Sequence, residues 1–205
     1  MKILLINGSP RGKGNTYLAL SEAASALESE GIQTEIVSIG AKAVQGCIAC
    51  NKCAELGRCV FQDDLYNTVR EKMMESDGLI IGSPTYYAGP NGSLCALLDR
   101  LFYSCGPHLH YKPGAAVAVC RRGGASATFD RLNKYFTISN MPVISSQYWN
   151  IVYGQKPGEA AQDAEGLQTM RTVGRNMAWM LRNLNSETAA AVPEPEPRQI
   201  TNFIR

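Results

Sequence analysis

Four cysteines fall within one short stretch of the chain, in the pattern C-x2-C-x2-C-x5-C: Cys47, Cys50, Cys53 and Cys59. In a chain kept in a reducing compartment, such a group indicates metal binding or redox chemistry before it indicates disulfides. Thiolates three residues apart, twice in succession, can bind three corners of a cubane 4Fe-4S cluster, and Cys59 can supply the fourth ligand. Two alternatives stay open. One is zinc, although structural zinc sites usually use two separated cysteine pairs, and the other is reduced thiols without metal.

A second set of candidates lies in the glycine-rich segment NGSPRGKGNT, residues 7–16. Ser9, Arg11, Asn15 and Thr16 carry hydrogen-bond donors, and a helical pattern begins immediately after them. A helix N-terminus presents unpaired N–H groups and a positive dipole end, so this segment is suited to an anion. It has neither the GxxxxGK[ST] pattern of a Walker A loop nor the GxGxxG fingerprint of dinucleotide sites, and it has no cysteine nucleophile. A single terminal phosphate therefore fits best.

Two later loops add aromatic and cationic groups. Residues 83–91, SPTYYAGPN, place two adjacent tyrosines between proline and glycine, a stiff wall that can flank a planar ring. Residues 120–124, CRRGG, can bring backbone N–H groups and positive charge to the edge of such a ring. The alternatives are a surface turn for the first loop and solvated arginines for the second.

The segments around these loops predict the fold that positions them. Solidly apolar runs alternate with helical patterns, which indicates a parallel sheet covered by helices on both faces. Five such strands fit a flavodoxin-like α/β three-layer sandwich with strand order 2-1-3-4-5, in which the loops after strands 1, 3 and 4 meet. The predicted strands are residues 2–6, 33–38, 78–82, 114–120 and 142–145.

The motifs GSPRGKGNT, SPTYYAGP and RRGG, in this order, resemble those of the NADPH-dependent FMN reductase family of flavodoxin-like proteins. The resemblance covers nearly the whole chain. The stretch GCIACNKCAELGRCVFQDD resembles the branch that includes iron–sulfur flavoproteins. It departs from the ferredoxin pattern in the five residues before Cys59 and in Val60, where a proline would follow.

This resemblance implies that FMN is bound by the three loops. The first would hold the phosphate, the second would line the isoalloxazine ring, and the third would face its pyrimidine side. Trp149, Asn150 and Tyr153 match an aromatic segment that lies late in these proteins, near the flavin. The implied FMN-binding residues are Ser9, Arg11, Gly14, Asn15, Thr16, Pro84, Thr85, Tyr86, Tyr87, Gly89, Arg121, Arg122, Gly123 and Gly124.

The resulting prediction is an FMN-dependent oxidoreductase. NAD(P)H would pass a hydride to bound FMN, and the electrons would go on to a small-molecule or protein acceptor, with the flavin rather than a side chain carrying the chemistry. One alternative is a one-electron carrier between redox proteins that uses FMN and a cluster. Another is a non-redox module with zinc in the cysteine loop and no flavin.

Length and composition limit the remaining choices. The 205 residues predict one domain, residues 1–185, followed by a proline-rich tail, residues 186–205. A net charge of +2 does not favour nucleic acid, and no apolar run reaches the roughly 20 residues that cross a bilayer. The first apolar run has only four residues, too few for a signal peptide, so we expect a cytoplasmic protein.

We also expect a homodimer or homotetramer. A flavodoxin-like domain offers the flavin ring only one wall, and the tail ends in the apolar residues Phe203 and Ile204 after a polar linker. A partner surface is the predicted place for these two side chains.

Overall fold

The structure, a computed structural model, describes residues 1–197, 199–201 and 203. The strands are β1 (Lys2–Asn7), β2 (Gln33–Ser38), β3 (Gly78–Tyr86), β4 (Gly89–Pro90), β5 (Gly114–Cys120) and β6 (Ile151–Tyr153). The helices are α1 (Asn15–Ser29), α2 (Cys53–Leu56), α3 (Asp64–Glu75), α4 (Gly92–Cys105), α5 (Ala125–Ile138) and α6 (Ala164–Leu184). Short 3-10 helices cover Gly106–Leu109 and Glu159–Gln162.

The main sheet is parallel, in the order β2-β1-β3-β5-β6, and the two-residue strand β4 pairs antiparallel with the end of β3. The short strand β4 is only the second arm of a hairpin, so β5 and β6 are the fourth and fifth strands of the parallel sheet. The observed order is then the predicted order 2-1-3-4-5. The flavodoxin-like fold class is therefore confirmed. The carboxyl ends of β1, β3 and β5 lie side by side, so the loops that follow them share one edge of the sheet.

The core has two parts, one on each face of the sheet. Alternate residues of β1 serve the two faces, because successive strand side chains point in opposite directions. Ile3 and Leu5 pack with α1 and α6, whereas Leu4 and Ile6 pack with α3, α4 and α5. All four side chains are completely buried, which explains why residues 3–6 of β1 are apolar without interruption rather than at every second position.

The predicted fifth strand, residues 142–145, is wrong. The fifth parallel strand is Ile151–Tyr153, and Val143 makes only an isolated bridge to Gly114. The chain leaves the edge of β5 after residue 144 and returns to it at residue 150. Asn150, which is buried, fills the gap because its side-chain amide donates to the Ala116 carbonyl oxygen at 3.0 Å.

The third predicted strand, residues 78–82, is correct in place but too short. β3 continues to Tyr86 and pairs with β4, so residues 83–90 of the predicted aromatic loop form a hairpin. Helix α3 begins at Asp64 because the Asp63 carboxylate accepts a hydrogen bond from the Tyr66 backbone N–H at 2.9 Å and so caps the helix.

The described part of the tail carries neither helix nor strand. Ile200 and Phe203 are exposed, at 82% and 94% of their surface, whereas Ile204 lies outside the described residues. The division of the chain at residue 185 stays a prediction. Among the helices that the structure describes, none has the length and apolar character that crossing a membrane requires.

Helices α1 and α6 pack closely at Gly174. A Cβ atom at this position would lie 2.6 Å from the Ala23 carbonyl oxygen and 2.7 Å from the Ala26 Cβ. We therefore expect Gly174→Ala to lower the free energy of unfolding by about 1–3 kcal/mol, because α1 must move away. Urea denaturation measures this.

Gly92→Ala in α4 is the matched control, since a Cβ there would meet no atom within 4 Å. It should leave stability unchanged or raise it by up to about 1 kcal/mol, through helix propensity alone. Equal effects of the two substitutions would contradict the close packing of α1 on α6.

Candidate functional site

The loop between β1 and α1 is shaped by the buried side chain of Asn7. Its amide nitrogen donates to the Ser38 hydroxyl oxygen at 2.9 Å and to the Gly12 carbonyl oxygen at 3.3 Å. Its amide oxygen accepts from the Ser9 N–H at 3.1 Å, and the Ser9 hydroxyl oxygen accepts from the Arg11 N–H at 3.1 Å. The loop is thus held in shape by its own hydrogen bonds.

Helix α1 begins immediately after this loop and lacks a side-chain cap. Its N-cap residue is Gly14, which has no side-chain acceptor for the first N–H groups of the helix. Those N–H groups and the positive end of the helix dipole can therefore bind an anion, as predicted for this loop.

The side chain of Asn15 bonds to a segment that the sequence analysis did not consider, residues 154–160. Its amide oxygen accepts from the Gly158 and Ala160 N–H groups at 3.0 and 3.3 Å, and its amide nitrogen donates to the Lys156 carbonyl oxygen at 2.9 Å. In the structure, Asn15 therefore fastens this segment against the start of α1. Its predicted contact with a phosphate stays a prediction.

One cavity opens at the carboxyl ends of β1, β3 and β5, and it brings together most of the predicted flavin-binding residues. It also includes residues that the sequence analysis missed, on β5 and in the segment fastened by Asn15. The lining residues are Ser9, Arg11, Gly14, Asn15, Thr16, Pro84, Thr85, Tyr86, Val119, Cys120, Arg121, Gly154 and Gln155. The sequence signal for the missed segment was the glycine at position 154. The structure shows why glycine is needed there, since a Cβ would lie 2.7 Å from the Ala160 nitrogen.

Five predicted residues lie beside this cavity rather than in its lining: Tyr87, Gly89, Arg122, Gly123 and Gly124. Tyr86 and Gly89 pair across a hairpin whose two turn residues, Tyr87 and Ala88, both have positive φ, at 49° and 55°. Such turns favour Asn-Gly, so this one is strained, and backbone strain clusters at functional sites. Ala88 is packed against Gly124, where a Cβ would lie 2.8 Å from the Ala88 Cα.

The three residues of the late aromatic segment, Trp149, Asn150 and Tyr153, lie in different places, and only Tyr153 is next to the cavity. Tyr153 lies with Arg121 in a groove next to the cavity, and burial raises the pKa of its phenol. Trp149 packs on the surface against Tyr148, with ring centres 5.1 Å apart and ring planes tilted by 45°. Asn150 is the buried residue that fills the edge of β5, so its place in the structure is within the sheet.

Thr85 contributes an unusual polar atom to the cavity. Its hydroxyl oxygen is buried and has no hydrogen-bond partner in the part of the chain that the structure describes. Leaving such a group unpaired costs about 1–3 kcal/mol. Because Thr85 also lines the cavity, this hydroxyl is a candidate partner for a bound group.

The four cysteines of the sequence pattern come together around a second, smaller cavity. Ala49 and Asn51 have positive φ, at 53° and 59°, which lets the short segment curl around it. The cavity is lined by Cys47, Ile48, Ala49, Cys50, Asn51, Cys53, Cys59, Val60, Phe61, Arg100, Tyr103 and Ser104.

Hydrogen bonds already reach three of these sulfur atoms. The Cys47 Sγ accepts from the Ala49 N–H at 3.4 Å, and the Cys53 thiol donates to the Tyr103 carbonyl oxygen at 3.8 Å. The Cys59 Sγ accepts from Arg100 Nε at 3.4 Å.

Electrostatics oppose ionisation of the Cys53 thiol. Burial raises the pKa of the Cys53 thiol, and the neighbouring thiols Cys47, Cys50 and Cys59 raise it further. Four thiolates here would repel one another unless positive charge stood between them. Among the described residues, no three His, Cys, Asp or Glu side chains form a group arranged to hold a metal ion.

A family model for NADPH-dependent FMN reductases matches residues 1–156 of the chain. The chain belongs to this family. The predicted resemblance is thereby confirmed, including its branch, because relatives of the chain are named iron–sulfur flavoproteins. One from Methanocaldococcus jannaschii is 38% identical over 190 residues, which cover 89% of this chain and 98% of that protein. Another, from Methanosarcina thermophila, is 31% identical over 187 residues, covering 88% and 95%.

Solved structures support the fold of this family member. RosB with a bound intermediate, 8-demethyl-8-formylriboflavin-5′-phosphate, superposes with a TM-score of 0.71 at 17% identity, covering 100% of this chain and 96% of RosB. A flavodoxin from the domain Archaea has a TM-score of 0.60 at 15% identity, covering 89% and 99%. At these identities the similarity extends to the fold alone.

The unpaired Thr85 hydroxyl gives a test of the cavity. Thr85→Val keeps the shape of the side chain but removes the unpaired oxygen, so the flavin-free protein should gain about 1 kcal/mol of unfolding free energy. The free energy of FMN binding should weaken by a similar amount, since the hydrogen bond between the hydroxyl and the flavin is lost. Urea denaturation and fluorescence titration with FMN measure the two effects.

Thr128→Val is the control. The Thr128 hydroxyl is buried and already donates to the Gly124 carbonyl oxygen at 3.2 Å. This substitution should therefore destabilise the protein, with the opposite sign. A Thr85→Val protein that is destabilised and binds FMN normally would contradict a ligand-facing hydroxyl.

Proposed function

We propose that the protein is a cytoplasmic FMN-dependent oxidoreductase that takes a hydride from NAD(P)H and passes electrons to a small-molecule or protein acceptor. The observation that carries the proposal is the cavity at the carboxyl ends of β1, β3 and β5, with a helix N-terminus at one side and the unpaired Thr85 hydroxyl in its wall. Membership of the FMN reductase family supports the choice of flavin.

The residues around the cavity suit the parts of FMN. The N–H groups at the start of α1, with Ser9 and Arg11, would bind the phosphate through charge-assisted hydrogen bonds. Pro84 and Tyr86 would support the ring, and Arg121 would place positive charge near it. Bound FMN supplies the hydride-accepting chemistry, so no side-chain acid or base is required.

We further propose that Cys47, Cys50, Cys53 and Cys59 hold a 4Fe-4S cluster. The supporting observations are that all four line one cavity, that their mutual repulsion calls for positive charge between them, and that backbone and side-chain donors already reach their sulfur atoms. The names of the relatives agree. Zinc is less suited, because structural zinc sites usually use two separated cysteine pairs. A cluster supplies one-electron transfer.

A second function, a one-electron carrier between redox proteins, is favoured by the surroundings of the cysteines. Ile48, Leu56 and Tyr103 expose 57%, 52% and 63% of their surfaces close to the thiols. Apolar surface of this kind suits a protein partner. Rapid bleaching of the flavin by NAD(P)H would favour the reductase, and its absence would favour the carrier.

We expect FMN, and not FAD, to co-purify with the protein, since the loop before α1 is built for one phosphate. Arg11→Ala should weaken FMN binding by about 1.5–3 kcal/mol, the range for a charged hydrogen bond. Lys13→Ala is the control, because Lys13 lies in the same loop but outside the cavity lining. Recovery of FAD, or equal affinities of the two variants, would overturn the assignment.

Replacing any one of the four cysteines by Ala should remove iron and sulfide and leave FMN bound, because the two cavities share no lining residue. Iron and sulfide analysis after anaerobic purification, with the flavin spectrum, measures this. Cys95→Ala is the control, since Cys95 lies outside the thiol-lined cavity. Wild-type protein that holds neither iron nor sulfide would contradict the cluster.

We also propose a homodimer or homotetramer, in which a second copy covers the flavin cavity. The fully exposed Tyr87 at the hairpin tip supports this, as does the exposed Phe203 in the tail. Light scattering at micromolar concentration should give a multiple of 22.3 kDa. A monomer, unchanged when residues 198–205 are deleted, would contradict the proposal.

A further inference from the structure

Arg100 stands out in α4 because its side chain is wholly buried although it is charged. All three of its nitrogen atoms are bonded. Nε donates to the Cys59 Sγ at 3.4 Å, and one terminal nitrogen donates to the Gln45 carbonyl oxygen at 3.2 Å. The other reaches the Phe61 carbonyl oxygen at 2.5 Å and the Asp63 carboxylate at 2.6 Å. One side chain thus joins both ends of the cysteine segment.

Aromatic rings fix the plane of this guanidinium group. Its carbon lies 4.5 Å from the centre of the Tyr66 ring and 5.9 Å from that of Phe61. The Tyr66 hydroxyl accepts from the Cys59 N–H at 2.9 Å and is hydrogen-bonded to the Ser104 hydroxyl at 2.7 Å. Cys59 is therefore held at both its backbone and its sulfur atom, and the direction of the Arg100 Nε–H toward that sulfur is set by packing.

The charge of Arg100 is only partly balanced. Its carboxylate partner, Asp63, keeps 45% of its side chain exposed, so water screens that ion pair from one side. Arg100 is also one of the residues that line the thiol-lined cavity. A fixed positive charge at this place attracts a negatively charged group bound in the cavity. The attraction grows as the negative charge of that group increases.

We propose that Arg100 is a positioning residue that sets the reduction potential of the 4Fe-4S cluster, through its hydrogen bond to the Cys59 sulfur and its buried charge. This inference rests on the cluster assigned under the proposed function. Reduction adds one electron and therefore one negative charge to the cluster, with no bond formed or broken and no proton required. Hydrogen bonds to cluster sulfurs and local charge are known controls of such potentials, so Arg100 should favour the reduced state.

Arg100→Gln tests the proposal in the anaerobically reconstituted holoprotein. Dithionite supplies the electron, and electron paramagnetic resonance measures the reduced fraction at each potential. The ratio of reduced to oxidised cluster should fall at least tenfold at a given potential, a shift of about 59 mV to more negative values. Arg100→Lys, which keeps the charge but not the planar fork, should give a smaller shift in the same direction.

Asp63→Asn should shift the potential in the opposite direction, because it removes the negative charge that partly balances Arg100. Asparagine caps helices as well as aspartate does, so the start of α3 is preserved. Arg70→Gln is the matched control: Arg70 donates to the Gly57 carbonyl oxygen at 3.0 Å in the same segment and has no hydrogen bond to a described sulfur atom. Its potential should equal that of the wild type.

The outcomes separate the two proposals. Wild-type protein without iron and sulfide overturns the cluster itself. Wild-type protein with a cluster, and variants of Arg100 with an unchanged potential, overturn only the role of Arg100. Should Arg100→Gln fail to retain iron, Asp63→Asn decides, and a potential that does not rise in that variant overturns the inference. Equal shifts in Arg70→Gln and Arg100→Gln would show a general effect of loosening the segment and would also overturn it.

Discussion

The first strand cannot face water on either side. Ile3, Leu4, Leu5 and Ile6 are all completely buried, so helices must cover both faces of the sheet around them. Connections that alternate strands with covering helices run the strands parallel, and parallel strands bring their carboxyl ends to one edge. The cavity of the candidate flavin site follows from this requirement, because the loops after the adjacent strands β1, β3 and β5 all begin at that edge.

The two candidate sites are built on different physical terms. The flavin cavity depends on small residues and backbone groups, as at Gly14, where the lack of a side-chain cap leaves N–H groups for a ligand. The thiol-lined cavity depends on one charged side chain, Arg100, buried among aromatic rings and carbonyl oxygens. The flavin cavity thus depends on glycine and backbone N–H groups that stay free for a ligand. The thiol-lined cavity depends on the long side chain of Arg100, which joins the two ends of the cysteine segment.

This difference explains what the sequence could predict. Patterned features were readable: the buried strands, the glycine-rich loop and the spacing of the cysteines each depend on neighbouring residues. The fifth strand was not, because the edge of β5 is completed by the side chain of Asn150 rather than by a continuous run of backbone. Nor was the role of Arg100, since an arginine among the leucines of α4 is indistinguishable in the sequence from a charge on the outer face of the helix. The same holds for Asn15, whose partners lie about 140 residues away.

The short strand β6 has a consequence for how copies of the protein can meet. It pairs with β5 over only three residues, and the opposite edge, β2, carries Glu35 bound to Lys2 and Lys72. Short edges and charged edges both discourage the addition of another strand. Both edges of the sheet are therefore poorly suited to pairing with a strand of another molecule, and the surfaces that remain for contacts are the helices, the hairpin tip and the loops, where the two candidate sites also lie.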